Sequence, residues 1–264
     1  MAILTRQAFK QSHWYTRQGE PMHRIMKADG SGDRATTVKD ARRLKLLPSV
    51  TSVIGILAKP ALETWKMTQV AEAALRTPKD AAETVEYWCR RVRDAAFEQV
   101  EDAADTGTKV HAALEAAAAG EPYDEEAWGA YVRPVLAYIA REGLVVTGRE
   151  KRVVNAGHGF AGTTDLFFTH GGGQPGILDY KTKKTKPGEK VEAYDEHRLQ
   201  LAAYAATEYG DAYLSRVRAV NVFVSTTEPG RVEFVTHGDL TRDWQAFKLL
   251  AGLWRYVKEY DPRG

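Results

Sequence analysis

The chain has 264 residues, 44% of them hydrophobic, which is enough to bury a substantial core as one elaborated domain with a helical N-terminal extension. Its 37 basic and 35 acidic side chains nearly cancel, to a net +2, so total charge alone announces no nucleic-acid partner and the distribution of charge has to be read instead. A single cysteine, Cys89, excludes an internal disulfide framework and any four-cysteine zinc or iron-sulfur site, and fits a reducing cytoplasmic compartment.

No stretch approaches the roughly 18 apolar residues of a membrane span, and no basic segment followed by an apolar run opens the chain, so a soluble protein without a membrane partner is expected. Basic residues concentrate in two places, Lys39 to Lys45 and Lys181 to Lys190; such runs are often just solvated loops. Cys89 reads as a helix-core residue.

In chain order, Gln11 to Met26 predicts two short extended pieces around Gly19-Glu20-Pro21, and Asp29 to Asp33 a loop. Val53, Ile54 and Leu57 predict a short helix stopped by Lys59-Pro60, after which Leu62, Trp65, Val70 and Ala74 continue at helical spacing. Thr77-Pro78 has the form of an N-cap with proline at the first helical position, opening an alanine-rich helical run to Ala119 hinged near Thr106-Gly107. Asp124 to Arg141 predicts another helix with Trp128, Tyr131, Val135 and Ile139 on its buried stripe and a kink at Pro134.

From Leu144 the character changes. Leu144 to Val154, Gly159 to Thr169 and Gly176 to Thr182 are short β-rich runs between glycine turns, the pattern of a meander. Asp195 to Tyr209 is helical, Val217 to Ser225 and Arg231 to His237 are strands around Glu228-Pro229-Gly230, and Leu240 to Tyr260 is an amphipathic helix. The order predicts an α/β fold with a central mixed β-sheet flanked by helices.

The chemistry concentrates in four places. In Ile177-Leu178-Asp179-Tyr180-Lys181-Thr182, strand alternation puts Asp179 and Lys181 on one face with Ile177. Burying such charges costs several kcal/mol unless they are paired or hold a metal, so they are either a structural ion pair or a site. The preceding strand, Gly162 to Phe168, offers a second acid, Asp165, and a hairpin would let the two carboxylates converge. Converging carboxylates repel unless a divalent cation lies between them, and oxygen ligands without cysteine favour Mg²⁺ or Mn²⁺ over zinc. His111 and Glu115 lie one helical turn apart after Gly107-Thr108, and Gln200 and Tyr204 share a face of the later helix. Each of these last pairs is commonplace alone.

Together, Gly107-Thr108…His111, Gly162…Asp165, Asp179-Tyr180-Lys181 and Gln200…Tyr204 resemble the PD-(D/E)XK nuclease superfamily, in its RecB-like exonuclease branch, which includes mitochondrial genome maintenance exonucleases and many phage nucleases. The likeness spans residues 107 to about 226, and Leu47 through Trp65 is similar to the N-terminal helical region of phage members. It implies a restriction-endonuclease-like core over residues 107–264 behind an N-terminal extended and helical region, 1–106. It implies His111, Asp165, Asp179 and the Tyr180 carbonyl as metal ligands, Lys181 as the catalytic lysine, and Gln200 and Tyr204 as the Gln-x-x-x-Tyr motif that supports the site and the DNA backbone. The one cysteine forbids the iron-sulfur cluster of some members, and without a Gly-x-x-x-x-Gly-Lys-Ser/Thr loop any ATP-driven translocation falls to a helicase or recombination partner.

The function expected is therefore metal-dependent hydrolysis of DNA, single-stranded or with free ends, in the cytoplasm of a bacterial or phage-infected cell. Glu150 is within sequence reach of the same site, or is a strand-edge surface acid. Lys183, Lys184 and Lys186, together with Arg42, Arg43 and Lys45, are the expected phosphate contacts, and Trp14 and Tyr15 are expected as exposed aromatics for stacking on bases. Two other readings stay open: a non-catalytic DNA-binding or recombination protein of the same fold, and a hydrolase of small phosphate esters, which would have no need of the basic loop.

Overall fold

The computed structural model describes residues 13–263, so the Gln11-Ser12 start of the first expected extended piece lies outside the described residues. The N-terminal part holds β1 (Trp14–Tyr15), β2 (Arg24–Met26), β3 (Asp33–Ala35), α1 (Val38–Leu44), β4 (Leu47–Pro48), α2 (Val50–Ile54) and α3 (Pro60–Arg76). The remainder runs α4 (Val85–Ala119), α5 (Glu125–Arg141), β5 (Val145–Asn155), β6 (Phe160–His170), β7 (Gln174–Lys183), α6 (Asp195–Tyr209), β8 (Arg218–Ser225), β9 (Val232–His237) and α7 (Thr241–Lys258). Among the described residues no helix is long and apolar enough to cross a membrane.

Strands β5 to β9 form one sheet in sequence order. Short turns allow β5, β6 and β7 to be antiparallel neighbours, whereas β7 and β8 are parallel because α6 carries the chain back across the sheet. Alternating side chains feed two cores. Phe167, Ile177 and Ala219 pack with α6, α7 and the N-terminal Trp14 and Val50 on one face. Leu166, Leu178 and Val220 pack with Val110 and Leu114 of α4 and Val132 and Val135 of α5 on the other.

The sheet forks between β6 and β7. β6 stays paired with β5 down to Phe160, and β7 stays paired with β8 up to Lys183, but the two pair with each other only from His170↔Gln174 to Leu166↔Leu178. The next register position would set Asp165 opposite Asp179. Beyond it, the free side of β6 is covered by the N-terminal segment: Ser49 forms a parallel bridge with Ala161, and the Tyr15 and Thr163 hydroxyls hydrogen-bond at 3.2 Å. α6 presses close here too, because a Cβ on Gly162 would stand 2.6 Å from the Tyr204 ring.

Several sequence expectations are corrected. Thr77 ends α3 rather than opening a helix, and α4 starts at Val85 with the Thr84 hydroxyl accepting the Tyr87 N–H at 3.2 Å. α4 then runs without a hinge through Thr106-Gly107. Gly107 serves packing: a side chain there would strike Thr182 Oγ1, 2.6 Å from its Cβ position. α5 spans Glu125–Arg141 with Pro134 inside it, as expected of that helix. Cys89 is exposed, since α4 packs on α3 through Trp88, Val92 and Ala96, at four-residue spacing, and Cys89 lies one position off that stripe.

Trp14 and Tyr15 are buried, not available for stacking. Trp14 packs edge-on to Trp254 and gives its indole N–H to the Thr36 carbonyl at 3.2 Å, which satisfies the polar atom that would otherwise favour the surface. The Lys39 to Lys45 run forms most of α1, capped by Thr37 and Asp40 in a reciprocal capping box.

The close contact at Gly162 yields a test of the fold. Gly162→Ala must displace the buried Tyr204 ring and is expected to cost about 1–3 kcal/mol of stability, the usual range for overpacking. Urea denaturation of the two proteins measures it, and an unchanged midpoint would show that the ring yields freely.

Candidate active site

The fork gathers the chemistry read from the sequence. On β7, Asp179 is buried and Lys181, two residues on, shares its face; the ammonium sits 2.6 Å from Asp179 Oδ2. Gln200, carried in by α6, closes a triangle: its Nε2 donates to Asp179 Oδ1 at 3.0 Å, and its Oε1 accepts from Lys181 Nζ at 3.1 Å. Asn221 sits beside Asp179 in the parallel register of β8 and donates from Nδ2 to Oδ2 at 2.9 Å. Behind it, His237 Nε2 lies 2.8 Å from Asn221 Oδ1.

Asp165 is held differently. Where the β6–β7 ladder stops, its Oδ2 accepts the Tyr180 backbone N–H at 2.5 Å, replacing the bond that a cross-strand carbonyl would make. Burial, and next the Asp179 charge, push the Asp165 carboxyl well above the usual range, against the weaker pull of Lys181 and of the Tyr180 N–H. Part of its surface still meets solvent, so the group is enclosed without being sealed in.

His111 comes in from α4 with its ring edge-on to Tyr180, 6.0 Å between centroids. Burial lowers its pKa, with the Asp179 charge raising it and Lys181 lowering it, so the imidazole is neutral and both charges of the β7 pair reach it. Tyr204 is buried, and its hydroxyl engages Gln200. The four separated segments singled out in the sequence thus meet at one place.

Glu150 belongs to the same surroundings. It falls between the register pairs Arg149↔Leu166 and Lys151↔Thr164, opposite Asp165, with a left-handed φ of 40°. Strain of this kind in a non-glycine residue costs of order 1–3 kcal/mol and clusters at functional sites. Its side chain keeps an exposed face, but partial burial and then the Glu115 charge push its carboxyl upward, and its own charge bears on Asp165.

The basic residues divide into two groups. Lys183, Lys184 and Lys186 follow directly on Lys181, and their segment is stapled to the β8–β9 turn: Thr226 N–H donates to the Lys183 carbonyl at 3.0 Å, and Arg231 donates to the Lys186 carbonyl at 2.8 Å. This run is therefore anchored, not a loose loop. Lys183 lies over the Tyr194 ring, 5.0 Å from its centroid, and Lys184 and Lys186 are exposed. Arg42, Arg43 and Lys45 are exposed on α1 and just past its end, beside the C-terminus of α7, where Arg42 donates to the Lys258 carbonyl at 2.6 Å and Tyr260 bonds to the Ala41 and Leu46 carbonyls.

Asn221, His237 and His197 were not singled out from the sequence. Asn221 had a signal: it is the one amide in the apolar run Arg218 to Ser225, and a buried amide requires partners. His197 sits on α6 near Lys181, its Nδ1 accepting the Tyr194 N–H at 3.2 Å. Burial first, and the Lys181 charge second, lower its pKa to about 4.

Among the described residues no group of three or more His, Cys, Asp or Glu side chains forms a ready-made metal cage. The donor chemistry still fits a hard divalent cation. Asp179 is charge-coupled to both Asp165 and His111, and burial with the like charge of Asp179 outweighs the pull of Lys181 and of the Tyr180 N–H on Asp165, an imbalance that a cation relieves.

The sequence model of the PD-(D/E)XK nuclease superfamily matches residues 17–251, nearly the whole chain, and the chain belongs to that superfamily. Its fold, a mixed five-stranded sheet flanked by helices, is the one expected. Nucleases of this superfamily act on DNA and use divalent metal ions. No curated protein matches the sequence. Among solved structures, the chain is similar to SSO0001 (15% identity, 78% of this chain and 90% of that one, TM-score 0.36). It is also similar to an alkaline exonuclease, LHK-Exo, from Laribacter hongkongensis (14% identity, 80% and 91%, TM-score 0.34). Both likenesses are distant.

His197 supplies a pH test. A histidine whose folded pKa is about 4, against an unfolded value near 6.5, binds more protons when unfolded across that window, so acidification from pH 6.5 to 4 removes stability. His197→Asn keeps an acceptor near the Nδ1 position and removes the titration. Urea titrations at pH 6.5 and pH 4.5 should show a smaller loss in the variant than in the parent; equal losses would mean that His197 does not titrate in this window.

Proposed function

We propose that this chain is a Mg²⁺- or Mn²⁺-dependent deoxyribonuclease that hydrolyses phosphodiester bonds as an exonuclease, on DNA with free ends or single strands. The observation that carries the reading is the pair of enclosed carboxylates, Asp165 and Asp179, at the fork of the sheet with the Lys181 ammonium 2.6 Å from one of them. A binding module has no use for converging carboxylates beside an anionic polymer. The exonuclease assignment is supported by the similarity of Leu47 through Trp65 to phage nucleases.

In this reading Asp165, Asp179, His111 and the Tyr180 carbonyl hold the cation, which when bound supplies an activated water and a neutralising charge at phosphorus. Lys181 is held by Asp179 and Gln200 and remains about a quarter exposed, so its ammonium can donate to a phosphate oxygen or orient the attacking water. Gln200 binds both members of the Asp179-Lys181 pair and keeps them in one geometry; Tyr204 holds Gln200 from behind. Lys183, Lys184 and Lys186 continue from the same strand and meet the phosphates flanking the scissile bond, with Arg42, Arg43 and Lys45 as a second, remoter contact. Any unwinding of duplex DNA is the work of a helicase or recombination partner.

Asp179→Asn and Lys181→Ala are each expected to lower cleavage of labelled DNA by about 10²-fold or more while leaving the circular dichroism spectrum unchanged. Assays with Mg²⁺, Mn²⁺ or EDTA, on linear and end-blocked substrates, test the metal and the exonuclease assignment together with the variants. Full activity in either variant, or in EDTA, would contradict the reading, and cleavage of closed circles at the linear rate would replace the exonuclease assignment with an endonuclease.

Replacing Lys183, Lys184 and Lys186 together by alanine should weaken single-stranded DNA binding and flatten its log–log salt dependence by about 2, since each phosphate that a lysine neutralises on a single strand adds about 0.7 to the slope. Fluorescence anisotropy over a salt series measures that slope; an unaltered slope would place the phosphate-binding residues elsewhere.

A further inference from the structure

Asn221 is fully buried in the middle of β8, and its amide bonds to Asp179 at one end and to His237 at the other. Its hydrogen-bonding sense is fixed from both ends. Asp179 is ion-paired with Lys181 through Oδ2 and accepts there, so the Asn221 NH₂ faces Oδ2, 2.9 Å away, and Oδ1 then faces His237. His237 Nε2, at 2.8 Å, has to carry the proton to satisfy that oxygen, which selects its Nε2–H form. With the ring so protonated, a flipped Asn221 would set its NH₂ against an N–H donor and its oxygen against a carboxylate. In this form His237, on β9, reinforces the orientation in which Asn221 meets Asp179.

The result is that the Asp179 carboxylate is gripped from two sides, by Gln200 of α6 on Oδ1 and by Asn221 of β8 on Oδ2. Gln200 belongs to the motif read from the sequence. The second grip does not: it comes from the parallel register of β7 with β8 and from the β8–β9 hairpin. We propose that Asn221 and His237 are positioning residues that fix the rotation of the Asp179 carboxylate and thereby set the affinity of the site for its divalent cation; the proposal rests on the reading of Asp179 as a cation ligand given above.

The test compares Mn²⁺ binding, followed by the electron paramagnetic resonance of the free ion, in the parent protein and in Asp179→Asn, His237→Met and His237→Gln. His237 lines a cavity of about 320 Å³ with Lys190 and Arg198, so a flexible methionine has room there. His237→Met removes the donor and should weaken Mn²⁺ binding by about 10–100-fold, the usual cost of losing an outer hydrogen-bond partner of a metal ligand. His237→Gln places an amide N–H near the Nε2 position and should restore affinity to within about threefold of the parent, a rescue that a packing role would not give.

His237→Met binding within twofold of the parent would overturn the proposal, and so would a His237→Gln variant as weak as His237→Met. If Asp179→Asn binds Mn²⁺ like the parent, the reading of the site fails and takes the proposal with it; that outcome is distinct because it needs no His237 variant. A measurement on the unaltered protein stands beside the variants. Titration with Mg²⁺ should shift the ¹⁵N signals of the Asn221 side-chain amide and of His237 Nε2, neither of which touches the cation, and the absence of any shift at saturation would also overturn it.

Discussion

The structure depends on two carboxylates being brought together where a sheet comes apart. A continuous β6–β7 ladder would bury Asp165 and Asp179 as a cross-strand pair of like charges, which is destabilising in any sheet. The ladder stops one residue pair short, and Asp165 turns its carboxylate to the Tyr180 N–H that the ladder has released. Fork and acid pair are thus one feature: the strands separate where the acids stand, and Asp165 takes up the backbone N–H of Tyr180 that separation leaves unpaired.

Everything around the fork compensates for it. The exposed side of β6 would be an open edge, and Ser49, Tyr15 and the β4 segment close it, so N-terminal residues share a core with Phe160, Tyr204 and Trp254. Gly107 and Gly162 are the points of closest approach, one letting α4 reach β7 at Thr182 and the other letting α6 reach β6 at Tyr204. Close approach from both faces brings His111 within range of the Asp179 and Lys181 charges and Gln200 into hydrogen bonds with both of those residues. A side chain at either glycine would push one of those helices outward and draw its polar residue away from the acids.

Much of this was legible in the sequence because its signals are local. The bounds of α6, the meander of β5 to β7 and the shared face of Asp179 and Lys181 follow from periodicity and turn residues within a dozen positions. The failures have a common cause as well. Thr77-Pro78 has the local form of a helix start, but a competing cap at Thr84 governs; Gly107 has the form of a hinge, but a tertiary contact with Thr182 explains it. Trp14 reads as a surface aromatic in a polar segment until Trp254 and Tyr260, some 240 residues later, close over it. Asn221 and His237 escape as site residues for the same reason: the lone amide in an apolar strand shows that Asn221 needs a partner, but only the register of β7 against β8 makes that partner Asp179.

The two acids are provided for unequally. Asp179 receives donors from β7, α6 and β8, three elements that would all have to shift for it to turn, whereas Asp165 has a backbone N–H from the adjacent strand and a like charge beside it. A carboxylate held that firmly is costly to reorganise and suits a fixed point of reference; one pushed toward its neutral form by burial and by its neighbour stores unfavourable free energy in the folded chain. Local loss of stability at a site is tolerated only where the surrounding packing is strong, and here two aromatic and aliphatic cores flank the fork on opposite faces of the sheet. The rigidity that those cores lend to β7, rather than any preformed cage, is what keeps the two acids within reach of each other's charge.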